Sequence, residues 1–204
     1  MICIPLKFKN QKELAKALPQ AEKLGDLVEI WFDEIKNPIY PKISKPIIYK
    51  SSGNPVLIQK ILKFKPAYMD LDLKTKPQIF KMVKKNSPKT RLIISFHDFK
   101  KTPDLKTLQR IISKMLQLGA DIVKIAVKAN KFSDNFVIFE LLRSLQKKKV
   151  SAICLAMGRL GLLTRLAGHL FGNYLVYAPL QLKDKTADGQ IPAAKLRKLI
   201  KICP

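Results

Sequence analysis

A chain of 204 residues with 47% hydrophobic content can bury one sizeable core without a second domain, and its longest uncharged apolar run is far shorter than a membrane span. The formal net charge of +24 invites a nucleic-acid reading, but the basic residues are spread through almost every predicted helix, as at Lys60, Lys63 and Lys65 or Lys147, Lys148 and Lys149. No RNA-binding consensus, aromatic-interleaved basic strand or zinc-finger spacing accompanies them, so weak, salt-sensitive adsorption is expected and specific nucleic-acid binding is not.

From the first residue onward, apolar runs alternate with amphipathic segments. Predicted strands cover Ile2 to Pro5, Leu27 to Trp31, Pro46 to Tyr49, Tyr68 to Leu71, Leu92 to Phe96, Ile122 to Ala126, Val150 to Leu155 and Tyr174 to Tyr177. Predicted helices lie between them: Gln11 to Lys23, Val56 to Lys65, Lys76 to Lys84, Leu105 to Leu118, Ser133 to Gln146, Leu160 to Leu170 and Pro192 to Ile202. In the fourth, positions 105, 108, 111, 112, 115 and 118 are apolar and share one face, with Asp104 before it as a start signal and Gly119 after it as a stop signal. The link from Trp31 to Pro46 supports no full helix.

Near-continuous apolar strands separated by helices imply a parallel sheet covered on both faces. Eight such units favour a single closed (β/α)8 TIM barrel over residues 1–204 rather than an open doubly wound sheet. No glycine-rich dinucleotide loop follows any strand. Cys3, Cys154 and Cys203 are odd in number and widely spaced, as reduced cytoplasmic thiols would be. The opening Met1 to Leu6 lacks the pattern of a signal peptide and is expected to form the first strand, and a cytoplasmic chain is the expectation.

In a barrel of this kind, active sites lie at the C-terminal ends of the strands. Glu29, Lys50, His97 and Arg165 meet that requirement, as does the loop from Lys183 to Gln190. Lys124 is the exception in an otherwise apolar run, Asp121-Ile-Val-Lys-Ile-Ala-Val127, and would have to reach up from within the barrel. Burying its ammonium costs several kcal/mol unless it is paired or neutralised, a cost that favours the free amine, the form that attacks ketones. A structural lysine snorkelling to the barrel rim is the alternative. Asp70 and Asp72 share a strand face and are expected to satisfy loop backbone; Asp98 is expected to close a loop, and His169 to sit at a helix end or on the surface.

Several blocks, in order, resemble the type I 3-dehydroquinate dehydratases. They are Leu27-Val-Glu29 with Asp33, Ile94-Ser-Phe-His97-Asp98-Phe99, Asp121 to Ala129 around Lys124, Ala156-Met-Gly158 with Thr164-Arg165, and Thr186-Ala-Asp-Gly189-Gln190-Ile-Pro192. The resemblance implies dehydration of 3-dehydroquinate to 3-dehydroshikimate in the shikimate route, with Lys124 forming an imine and His97 transferring protons. It makes Arg165 the ligand of the substrate carboxylate and Glu29 a holder of ring hydroxyls. Thr186 and Gln190 would lie in a closing loop, Lys50 at a substrate-binding position, and Met157 and Tyr177 in apolar walls. It implies no metal or organic cofactor, and a homodimer as the usual assembly.

An imine at Lys124 would acidify the adjacent C–H, and neutral His97, with a reference pKa of ~6.5, would remove that proton. Three positions depart from the family pattern. Trp31 stands where an arginine is usual, while Lys50 and Asn54 stand where an arginine and a glutamate are common; the same reaction with altered affinity or pH profile is the expectation. Another imine-forming barrel enzyme of the aldolase type, an inactive paralogue and a basic nucleic-acid-binding barrel are the alternatives.

Overall fold

The structure is a computed structural model that describes residues 1–35 and 38–202; Cys203 lies outside the described residues. Its elements follow the predicted alternation. They run β1 (Ile2–Leu6), α1 (Gln11–Leu24), β2 (Leu27–Trp31), β3 (Ile47–Ser51), α2 (Pro55–Leu62), β4 (Tyr68–Asp72), α3 (Pro77–Asn86), β5 (Arg91–Asp98) and α4 (Leu105–Gln117). Then come β6 (Ile122–Lys128), α5 (Asp134–Lys147), β7 (Ala152–Met157), α6 (Leu162–Ala167), β8 (Val176–Tyr177) and α7 (Ala193–Ile202). Short 3-10 turns occupy Phe32–Glu34, Gly168–Phe171 and Leu182–Asp184.

All eight strands form one sheet in the order β7-β6-β5-β4-β3-β2-β1-β8, with each recorded pairing parallel. The seam between β7 and β8 is bridged where Tyr174 N donates to Ala152 O at 2.8 Å, beside a parallel bridge from Ala152 to Asn173. The result is the nearly closed TIM barrel expected from the alternation.

Local chemistry explains the element ends. Asn10 Oδ1 accepts from Glu13 N at 2.9 Å and starts α1, while Asp104 Oδ1 accepts from Thr107 N at 2.8 Å and starts α4. Asn54 Oδ1 accepts from Val56 N and Leu57 N, with Pro55 occupying the first helical position of α2. Two helices are shorter than predicted by more than one residue. Within Leu160 to Leu170, α6 starts late because residues 158–161 double back over the end of β7, and it gives way to a 3-10 turn at Gly168. There a Cβ at Gly161 would lie 2.4 Å from Ala156 O, so only glycine permits the approach. Helix α2 ends early, ahead of Lys65 at φ 50 and Pro66.

Two apolar layers result. One lies between strands and helices, built from residues such as Ile4, Val28, Tyr49, Leu71, Ile94, Ile125 and Cys154. The other fills the barrel with Cys3, Leu27, Ile48, Ile93, Ile122 and Ile153. Burial pushes the Cys3 thiol well up and the Cys154 thiol up to about 12, so both stay protonated at neutral pH.

Candidate active site

Directly above that apolar floor, the inward positions of the even strands become polar. Glu29 on β2, Asp70 on β4, Lys124 on β6 and Tyr177 on β8 form one interior level, as expected when alternate strands contribute the four side chains of a barrel layer. Lys124 Nζ donates to Asp70 Oδ2 at 2.7 Å, to Tyr177 Oη at 2.9 Å and to Glu29 Oε2 at 3.3 Å. Lys50 adds a second cation, its Nζ 3.4 Å from Asp70 Oδ2. Trp31 Nε1 donates to Glu29 Oε1 at 2.9 Å, and its ring lies under the ammoniums of Lys7 and Lys50 at 4.6 and 5.4 Å.

This arrangement corrects the expectation that burial keeps the amine neutral. Desolvation does pull the Lys124 pKa down, but Asp70 and Glu29 outweigh it and hold the group as an ammonium, above its ordinary value. Burial likewise pushes the Asp70 carboxyl up, and the charges of Lys124 and Lys50 bring it well below the usual carboxylate range. Lys124 does not snorkel: its side chain is buried within the barrel.

A cavity of about 400 Å³ opens above this layer at the C-terminal end of the strands. Every site residue singled out from the sequence (Glu29, Lys50, His97, Lys124, Met157, Arg165, Tyr177, Thr186 and Gln190) lines it. Met157 forms apolar wall as expected. Tyr177 is more than wall, since its hydroxyl contacts Lys124, and burial followed by the nearby Glu29 charge pushes its pKa well up and keeps it protonated.

Arg165, on α6, is 2% exposed, and its Nη2 donates to Asp188 O at 3.1 Å. Its Nε and Nη1 are buried without a hydrogen-bond partner among the described residues, and burial lowers its pKa to about 10. A guanidinium kept dry with two idle donors is a site prepared for a planar anion. The loop after β8 lies beside it. Gln190 Oε1 accepts from Thr186 N at 2.8 Å and Ala187 N at 3.2 Å, and Gln190 Nε2 donates to Thr186 Oγ1 at 3.2 Å. Asp188 O also accepts from Gly158 N at 3.1 Å.

Gly189 makes that loop's close approach feasible. At φ +76, a Cβ there would stand 2.4 Å from Gly158 O. Gly189→Ala is expected to cost about 1–3 kcal/mol of local strain and to push the loop off Gly158. A lower urea midpoint and a raised KM with little change in kcat would show it; an unchanged KM would count against the loop's role.

Sequence reasoning missed the part played by β4. Asp70 does not satisfy loop backbone, as its partners among the described residues are the ammoniums of Lys124 and Lys50. Asp72 does accept from Lys74 N at 2.9 Å, as expected of a loop residue, but its other oxygen stands 3.6 Å from His97 Nδ1. The signal was present as two acids alternating within a strand. Asp98 closes its loop as expected, accepting from Lys100 N and Lys101 N. His169 sits in the 3-10 turn after α6. Asn54 is exposed and occupied by its helix cap, away from the cavity.

Fold and site together define a (β/α)8 barrel with an ion-paired lysine layer beneath a cavity lined by a histidine and a buried arginine. Within that class the chain belongs to the type I 3-dehydroquinase family, whose family model matches residues 51–203. The 3-dehydroquinate dehydratase of Methanococcus maripaludis (strain C7) is 31% identical over 99% of both chains. That of Methanocaldococcus jannaschii is 31% identical over 98% of this chain and 97% of its own. Among solved structures, a type I 3-dehydroquinate dehydratase from Clostridium difficile with covalent modified comenic acid superposes with a TM-score of 0.87. It is 24% identical and covers 99% of this chain and 91% of that one, a likeness of fold.

Proposed function

We propose that this protein dehydrates 3-dehydroquinate to 3-dehydroshikimate through an imine on Lys124, as part of the shikimate route. The observation that carries the reading is the Lys124 layer, a buried amine between Asp70, Glu29 and Tyr177 at the base of a cavity that also holds His97 and Arg165. The names of the family and of its relatives supply the substrate.

The layer is suited to a cation at Nζ before and after imine formation. Attack by nitrogen requires the ammonium to give up a proton, which the two carboxylates oppose. Once the amine has added to the C3 ketone and water has left, positive charge returns to the same place as an iminium. The carboxylates 2.7 and 3.3 Å away then stabilise the electron sink that the next step needs. His97 takes the C2 proton, the bond's electron pair moves toward the iminium, and the C1 hydroxyl leaves as water with the proton from His97. Water then hydrolyses the imine and frees Lys124. Arg165 turns its idle donors to the substrate carboxylate, the Thr186–Gln190 loop excludes bulk water, and Glu29 faces ring hydroxyls.

The test is incubation with 3-dehydroquinate, following the absorbance of the conjugated enone product, with borohydride added in parallel and the adduct located by mass spectrometry. Enone formation together with a reduced adduct on Lys124 is the expected result. Absence of both would sink the proposal, and an adduct without enone would favour a different imine-forming reaction.

A further inference from the structure

His97 is well placed but has no glutamate or other carboxylate from the loop after β3. That loop offers Asn54, whose side-chain oxygen is committed to Val56 N and Leu57 N at the start of α2. The carboxylate recorded against the ring comes from the next strand, with Asp72 Oδ2 3.6 Å from His97 Nδ1. Asp72 is itself pinned, since its Oδ1 accepts from Lys74 N at 2.9 Å and its carbonyl from Thr75 N at 2.9 Å. Phe99 lies nearly parallel to the imidazole, with ring centroids 5.9 Å apart and the planes inclined by 9°.

We propose that Asp72 is the positioning residue for His97, supplying from the end of β4 the anion that the β3 loop lacks. The inference rests on the dehydratase reading for its consequence, though not for the pairing itself. An anion facing Nδ1 keeps the proton on that nitrogen and leaves Nε2 as the base toward the cavity. When Nε2 takes the C2 proton, Nδ1 keeps its own, and the electron pair released enters the C2–C3 bond of the enamine. The ring becomes an imidazolium whose charge faces Asp72. Burial raises the Asp72 carboxyl, but the His97 ring, the Lys74 amide and the charge of Lys50 more than offset it, so Asp72 is ionised at neutral pH.

Other charges share this cavity and set the background. Asp33 and Glu34 come from the turn after β2, Lys50 from β3, Lys74 from the turn after β4, Lys124 from β6 and Arg165 from α6. Of these groups together with Asp72, it is Asp72 that has a recorded contact with the imidazole among the described residues.

Asp72→Asn removes the charge and retains an oxygen for Lys74 N, so the turn should survive. The test reads His97 twice, by an NMR titration of its imidazole in the unliganded protein and by the pH profile of kcat. In Asp72→Asn the His97 midpoint should fall, since the imidazolium loses its anion, and the acidic limb of kcat should move down with it. Turnover should drop about 10- to 100-fold, part of the roughly 10²–10⁴-fold that acid–base help provides, with KM changed less than about threefold. Asp72→Glu should bring midpoint and rate back toward wild type, and Asn54→Ser, which keeps a helix cap, should leave the midpoint in place. An unmoved His97 midpoint in Asp72→Asn would overturn the pairing. A moved midpoint in a protein that never converts 3-dehydroquinate would keep the pairing and reject the reaction.

Discussion

Lys124→Ala should yield no borohydride-trapped adduct with 3-dehydroquinate, and its turnover should fall by more than about 10⁴-fold, the scale on which loss of a covalent nucleophile is felt. The same substitution should also destabilise the fold. Lys124 is buried against Asp70 and Glu29, so its removal leaves two carboxylates in the barrel with only Lys50, at 3.4 Å from Asp70, to offset them. Removing one partner of a buried pair typically costs about 3–5 kcal/mol.

That cost should depend on pH in a definite direction. In the intact layer the Asp70 carboxyl lies below its ordinary range. Its stabilisation is fully present above the unfolded value of ~3.9 and is lost as pH falls through the folded one. Lys124 lies above its ordinary value, so its share is present below ~10.4 and is lost only as pH rises through the folded value. In Lys124→Ala burial of the Asp70 carboxyl favours its protonation instead. The stability gap to wild type should therefore be wide at neutral pH and narrow below about pH 4. Urea midpoints across that range measure it; a gap that stays constant would mean that Asp70 and Glu29 are not the partners that matter.

The second large effect is at Arg165. Arg165→Met should lower kcat/KM about 10²–10³-fold, in keeping with the ~2–5 kcal/mol lost when one partner of a buried charge pair is removed. Most of the loss should fall on KM, because in the proposed reaction the guanidinium binds a carboxylate that takes no part in bond breaking. Arg165→Lys should restore little, since a point charge cannot offer the two-pronged fork. Stability should move the other way. Free Arg165 keeps Nε and Nη1 buried and unpartnered, and burial already lowers its pKa to about 10. An apolar side chain of similar length removes that cost, so Arg165→Met should unfold at a higher urea concentration than wild type. A variant that loses both stability and kcat with KM intact would make Arg165 a structural residue.

Much of this barrel was legible in the sequence because its signals are local. Strands read as apolar runs and α4 as a one-sided stripe, while Asp104 and Gly119 marked the ends of that helix where the backbone needs a cap and a positive φ. Where non-local contacts intervene, the bounds shifted. Residues 158–161 fold back onto Ala156, which delayed α6, and the predicted helix gives way to a 3-10 turn at Gly168. Lys124 and the polar strand-end residues that line the cavity stood out for a similar reason, against apolar neighbours, whereas Met157, Tyr177 and Thr186 were named only through the family resemblance.

What the sequence determined by itself is the alternation of strands and helices, the face of each strand that turns inward, and the residues able to do chemistry at the strand ends. What only the tertiary structure decided is which of those residues stand at the same height in the barrel. A two-residue period assigns a side chain to a face but says nothing of its level relative to other strands, which depends on the stagger of neighbouring strands on closure. That stagger brings Asp70, 54 residues away in sequence, and Tyr177, 53 away, onto Lys124. It also brings Asp72 to His97. The charge state of the lysine follows from that level: burial alone predicts a neutral amine, and two carboxylates within hydrogen-bond reach make it an ammonium.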